Sequence, residues 1–494
     1  MLADLAVSAG SRLRRHRAKI GRWVLEYVGE DETAHQYICH HWPSARAGEA
    51  PDAYCYHFLQ AATSEHLSQP DQSSVPAPQC TICPENGRAI LLGTGRYAHV
   101  YDVCQKILHH LAGRAVRLGR AGRVQRPSDA WLLLRAACVE YQPSAGATRT
   151  VALLGNRHTG KSVHGYGLCL AKADNEMIGD DLTAVHLGTG MAHRTEARLW
   201  WPTSLVATYP HLASFLATAP SEGIELSEVL DAHVRKCRDA ADLARAVESG
   251  VFPEDSFAAL TDYLSGADNA YGMLDPHDLL GPDHCAEQSL LTDAIAVSHD
   301  ADSRWILRVL PGEEFVSRAT TTGVRTTTNK FTEQTTQVER ACLQHLLDES
   351  NVRPALLNPR LPAAQTQFCL RHYLEGTADS IQLLSACEFA EPSLLAAMRL
   401  AIRHSEGEYY PDRAEPCFFH GTRNVNLASF DRGNSRIEVV AFDPSEQGYA
   451  QVRAVWPGQV ADFFSRHASL RVRELFTETR NSPPQYVESP STCR

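Results

Sequence analysis

GNRHTGKSVH, residues 155–164, decides how this chain is read. Gly155-Asn156-Arg157-His158-Thr159-Gly160-Lys161-Ser162 fits G-x-x-x-x-G-K-[ST], the pattern of a phosphate-cradling loop. In such a loop the two glycines let the backbone curl so that successive N–H groups face phosphate oxygens. The helix that follows adds its positive end. Lys161 would reach the β- and γ-phosphates of a nucleotide, and the Ser162 hydroxyl would ligate Mg²⁺. A glycine turn carrying a structural lysine is the plainer alternative. The lysines of the chain are Lys19, Lys106, Lys161, Lys172, Lys236 and Lys330. In so Lys-poor a sequence a random match has a probability of roughly one in three hundred.

The flanks agree with the motif. RTVALLG (149–155) reads as an apolar strand running into the loop, and SVHGYGLCLAK (162–172) as the helix leaving it. Gly165 and Gly167 lower helix propensity by about 1 kcal/mol each, which is tolerable if the helix packs tightly on a sheet. Upstream, WLLLRAACVEYQ (131–142) reads as a second strand. Downstream, NEMIGDDLTAVHL (175–187) reads as a strand around Asp180-Asp181. Neighbouring buried carboxylates are unfavourable unless something cationic meets them. A Mg²⁺–nucleotide complex, or an acceptor hydroxyl whose proton must leave, supplies a reason. Adjacent strand residues point to opposite faces, so both acids address one site only where the strand ends or twists. An Asp pair making turn hydrogen bonds at a strand end is the alternative.

A glycine-loop strand–turn–helix followed within about twenty residues by an Asp-Asp strand resembles the HPr kinase/phosphorylase-like group, related in fold to ATP-dependent phosphoenolpyruvate carboxykinases. The resemblance covers about residues 129–345 and rests on Gly155, Gly160, Lys161, Ser162, Asp180 and Asp181. It implies that Asp181 takes the acceptor's proton and that Asp180 supports it or the metal. Members carry a histidine on the strand before the loop; here that stretch is Arg135-Ala136-Ala137-Cys138. The bifunctional members have a Glu-x-Arg-Gly signature, whereas Glu196-Ala197-Arg198 lacks the glycine. Shorter, kinase-only relatives acting on other hydroxyls, serine-type acceptors included, are the better comparison. Arg157, Arg198, Arg304, Arg308 and Arg325 are candidates to offset charge on the transferring phosphoryl group, and His158 could touch the γ-phosphate or the acceptor.

With a net charge of -11, the chain is not expected to bind nucleic acid or anionic membrane surfaces broadly. No apolar run reaches the roughly 20 residues of a membrane span, and the N-terminus shows no signal-peptide core, so a cytoplasmic location is expected. The 14 cysteines form no compact framework and are expected to be reduced. Cys39-His40-His41, Cys55-x-His57 and Cys80-x-x-Cys83 hold enough ligands for a zinc site, with ordinary buried cysteines and surface histidines as the plainer reading.

Three regions are expected: an N-terminal accessory region (1–88), a nucleotide-binding domain (89–350) and a C-terminal α+β region (351–494). AILLG (89–93) should be a strand and HVYDVCQKILHHLAG (99–113) a helix. Further helices are expected over 226–249, 335–350 and 393–404, a strand pair within 292–311, and a strand at 435–443. The fold class is α/β, with a P-loop-containing, HPr kinase/phosphoenolpyruvate carboxykinase-like centre. The function expected is Mg²⁺–ATP-dependent transfer of the γ-phosphate to a hydroxyl of a small metabolite or peptide, by a monomer or a homo-oligomer. A regulatory or assembly ATPase with no separate acceptor, and an inactive scaffold, are the competing readings.

Overall fold

The computed structural model describes residues 13–59, 79–83, 87–93, 96–156, 159–224, 245, 254–267, 270–281, 284–300, 303, 305–322, 333–360, 363–376, 380–385, 417–419, 424–431, 436–442 and 452–454. The protein mixes helices with sheets that contain both parallel and antiparallel pairs. It divides into two compact units: residues 1–141, 150–294 and 316–352 form the first, and residues 142–149, 295–315 and 353–494 the second.

The first unit opens with β1 (Arg14–Ile20), β2 (Trp23–Gly29), α1 (Glu32–His41), β3 (Ala53–Phe58), β4 (Gln79–Cys83), β5 (Arg88–Leu92) and α2 (Tyr97–Ala115). The five strands form one sheet in the order β1-β2-β3-β5-β4. Alternate residues build its inner face, where Ala18, Ile20, Trp23, Leu25, Tyr27, Ala53, Cys55, Ala89 and Leu91 are all buried, while β2 is buried along its whole length. Asp31 caps α1 by accepting from the backbone N–H groups of Thr33 and Ala34. α2 buries Val100, Cys104, Ile107 and Leu108, spaced as a helix facing a core requires. These residues share one apolar cluster with Leu133, Leu182 and Ala184, so no break in packing falls near residue 88.

Next come β6 (Trp131–Leu134), β7 (Ala136–Tyr141), β8 (Arg149–Leu154), α3 (Lys161–Ala171), β9 (Glu176–Gly179), β10 (Thr183–His186), β11 (Met191–Arg194), β12 (Leu199–Pro202), β13 (Tyr271–Leu274), β14 (Gln288–Val297) and helix Glu333–Glu349. Strands β9, β7, β8 and β14 lie side by side in that order. α3 packs on β7, where a Cβ at Gly165 would sit 2.8 Å from that of Ala137. This is the close approach that makes glycine acceptable inside the helix.

Two stretches read from sequence as single strands are each broken in two. Residues 131–141 divide at Arg135 into β6 and β7, and 176–186 divide at Asp180–Leu182 into β9 and β10. The broken strands still face each other. β6 pairs antiparallel with β10, Leu134 opposite Thr183, and β7 pairs antiparallel with β9, Cys138 opposite Gly179. Both breaks therefore fall at one level, and charged side chains occupy the gap in the ladder.

In the second unit, β15 (Trp305–Val309) lies between β16 (Arg353–Leu357) and β17 (Ser380–Ser385), antiparallel to both. Both strands expected within 292–311 form, as β14 and β15, and residues 305–309 find their partners far along the chain. Arg436–Phe442 forms a strand, as SRIEVVAFD suggests. The helix expected over 393–404 lies outside the described residues, as does all of that expected over 226–249 except Arg245.

Candidate active site

β8 delivers the chain to Gly155, and α3 begins at Lys161, so the glycine stretch joins a strand end to a helix start. Gly160 stands immediately before the helix with φ 97°, a left-handed conformation that a side chain would strain. Thr159 Oγ1 donates to the Asn156 carbonyl at 2.9 Å, and Lys161 Nζ donates to the same carbonyl at 3.1 Å. The loop thus folds back over its own lysine, which is buried while Asn156 is exposed. Arg157 and His158 lie outside the described residues.

Asp180 and Asp181 sit where the strand has ended, which frees both from the alternation that would set them on opposite faces. Ser162 Oγ, from the first turn of α3, donates to Asp180 Oδ2 at 2.8 Å. The indole of Trp201 on β12 donates to the same oxygen at 2.7 Å. Tyr166 of α3 braces that indole edge-to-face at 5.0 Å. The other oxygen, Oδ1, is buried without a hydrogen-bond partner. Burial first, then the charge of Asp181, push the Asp180 carboxyl up to about 7, against the pull of Lys161 and Ser162. A buried carboxylate short of positive charge, with one oxygen unmet, is a setting into which a cation fits.

Asp181 is held differently. Arg135 Nε approaches Oδ1 at 2.9 Å, and Gln105 Nε2 donates to Oδ2 at 2.9 Å. Burial acts to raise its pKa, but Arg135, Lys161 and these hydrogen bonds outweigh it and hold the carboxyl well below the usual range. Its side chain keeps 20% exposure, whereas the Asp180 residue keeps 4%. Asp181 is therefore the acid an outside molecule can meet, and Asp180 is the acid tied to the loop.

Behind the pair lies Glu196. Its Oε1 accepts from Tyr101 Oη at 2.5 Å and lies 3.1 Å from His41 Nε2, and its Oε2 is 3.4 Å from the Asp181 backbone N–H. Thr195 Oγ1 donates to the Leu182 carbonyl, which fixes this segment against the acid turn.

The other candidates from sequence disperse. Arg198 pairs with Asp275 at 3.7 Å, and Arg308 belongs to the second unit, where it pairs with Glu314 at 2.7 Å. Arg304 and Arg325 lie outside the described residues. Of the zinc candidates, Cys55 is fully buried on β3 while Cys80 and Cys83 are exposed on β4. Among the described residues no three His, Cys, Asp or Glu side chains gather as a metal-holding group. The arginine that the structure sets against the acid pair is instead Arg135. The sequence carried its signal, a lone charge within WLLLRAACV, a run that otherwise reads as fully buried.

Among the described residues no helix is long and apolar enough to cross a membrane. No protein-family model matches the sequence, and no curated protein matches it.

Proposed function

We propose that the first unit is a Mg²⁺–ATP-dependent phosphotransferase of the HPr kinase/phosphoenolpyruvate carboxykinase-like kind, acting on a hydroxyl of a small metabolite or peptide. The observation that carries this reading is the 2.8 Å hydrogen bond from Ser162 to Asp180. It ties the hydroxyl that such loops offer to a metal directly to the acid pair that a transfer reaction needs.

Gly155, Asn156, Thr159 and Gly160 would supply main chain around the phosphates, and the sequence motif adds Arg157 and His158 to that set. Lys161 supplies the cation beneath them. Ser162 and Asp180 would hold the Mg²⁺ that accompanies the nucleotide, and the ion would supply neutralisation of phosphate charge. Asp181 orients the acceptor hydroxyl and takes its proton as the hydroxyl oxygen bonds to the γ-phosphorus and the bond from that phosphorus to the β–γ bridging oxygen breaks, so that ADP leaves. An ionised carboxylate with a depressed pKa suits that role, because the transition state of phosphoryl transfer is loose and needs an oriented oxygen more than a strong base. Each Asp181 oxygen uses one acceptor position on its protein donor and keeps another for the hydroxyl.

ADP release from Mg²⁺–ATP, measured across free amino acids, sugars and nucleosides, tests the reading. Stimulation by a hydroxyl compound, lost in Asp181→Asn, supports it. Slow ADP release that no acceptor stimulates would leave the regulatory ATPase, and ATP affinity unchanged in Lys161→Ala would remove the nucleotide site altogether.

A further inference from the structure

α2 sets Tyr101, Gln105 and His109 four residues apart, so they form one row along the helix. All three are buried. Polar groups on a buried helix face are unfavourable unless partners meet them. Tyr101 meets Glu196, and Gln105 meets Asp181. His109 lies within electrostatic reach of Arg135 and Asp181, and its Nε2 has no hydrogen-bond partner. α1 reaches the same place from its last turn: His41 contacts Glu196 through Nε2, and its carbonyl accepts from the Ala197 N–H at 2.7 Å.

We propose that the N-terminal layer is a working part of the site, with Gln105 a positioning residue for Asp181 and with Tyr101 and His41 bracing Glu196 behind the acid turn. The proposal rests on the phosphotransfer reading and adds to it the residues that aim its proton acceptor. An apolar side chain at position 105 would pack the same helix. What the amide adds is a donor on Oδ2 while Arg135 holds Oδ1, so the carboxylate plane is pinned at both ends. Glu196 adds a third hold, on the backbone of the same residue. A carboxylate fixed in this way offers its free lone pairs in one direction, which is what a transfer reaction sensitive to displacements of about 1 Å requires.

Gln105→Met keeps the side-chain length and removes the donor. Basal ADP release from Mg²⁺–ATP, with water as acceptor, gives kcat, and calorimetry with ATP gives Kd. Gln105→Met is expected to lower kcat about tenfold to hundredfold, with Kd within about twofold of wild type. Tyr101→Phe keeps the ring and removes only the hydroxyl; a smaller loss, about threefold to tenfold, is expected, again in kcat alone. Wild-type kcat in either folded variant overturns the proposal. So does a joint fall of kcat, ATP affinity and melting temperature, the mark of a purely structural role. A wild-type protein that binds ATP and releases no ADP, either with water or with any hydroxyl compound of the acceptor screen, sinks the phosphotransfer reading, and this proposal with it.

Discussion

Arg135 and Asp181 form an ion pair, Nε to Oδ1 at 2.9 Å, inside a gap that two antiparallel strand pairs leave at the same level. Arg135 is 3% exposed. Removing one member of a buried pair leaves the other without compensation, so Arg135→Met is expected to destabilise the fold by about 3 kcal/mol. Denaturant unfolding at neutral pH measures this, and an unchanged midpoint would show that the pair contributes nothing. The depressed Asp181 pKa sets the pH sense. Its stabilisation is present above the unfolded-state value near 3.8 and is lost as pH falls through the folded value. The gap between wild type and Arg135→Met should therefore narrow in acid.

Asp180 has the opposite sign. Its carboxyl titrates at about 7 when folded and near 3.8 when unfolded. Between those values the folded chain holds more protons, so this group makes stability fall as pH rises through the window. In the absence of nucleotide, Asp180→Asn is expected to remove the decline and to stabilise the protein at pH ~8 by roughly 2–4 kcal/mol. Thermal melts across that range test it. Parallel curves for the two proteins would show that Asp180 carries no such penalty.

Lys161→Ala removes the one ammonium the loop folds over. Nucleotide affinity is expected to fall about a hundredfold, the loss associated with a charge-assisted contact of about 3 kcal/mol. Asp181→Asn should keep nucleotide affinity and lose turnover by about two to four orders of magnitude. Calorimetry and ADP release, run on both variants, separate binding from transfer. A double loss in Asp181→Asn would move that residue from transfer to binding.

Gly165→Ala sets two effects against each other. Alanine favours a helix interior by about 1 kcal/mol, but its Cβ would come 2.8 Å from that of Ala137, and overpacking costs about 1–3 kcal/mol. A net loss of stability is expected. A gain in the unfolding midpoint would mean that α3 can lift off β7 cheaply.

The loop and the acid pair were legible in the sequence because each is contiguous: spacing within one short segment fixes what its main chain can do. The break at Asp180 was legible only as a condition, since two adjacent acids can share a site only where a strand stops. The partners were hidden for a different reason. Arg135, Gln105, Tyr101, Glu196 and His41 come from separate elements, and nothing in one segment states which other segment will lie against it. What two of these segments did carry was a misfit: an arginine in an apolar strand, and polar residues at four-residue spacing on the buried face of a helix. The single strands expected over 131–142 and 175–187 failed at charged residues, the first at Arg135 and the second at Asp180-Asp181. Hydrophobic runs report burial, and they do not report where a ladder is interrupted to admit a charge.

Leu133, Leu182 and Ala184 belong to the same apolar cluster as Trp42, Val100 and Leu108. Leu182 is the residue next to Asp181. A truncated chain beginning at Trp131 would keep every letter of the glycine-loop motif, yet it would bare an oily slab to water directly beside Asp181. The motif is therefore not a transplantable cassette: grafting or trimming it without the first hundred residues would yield a sticky, misaligned remnant.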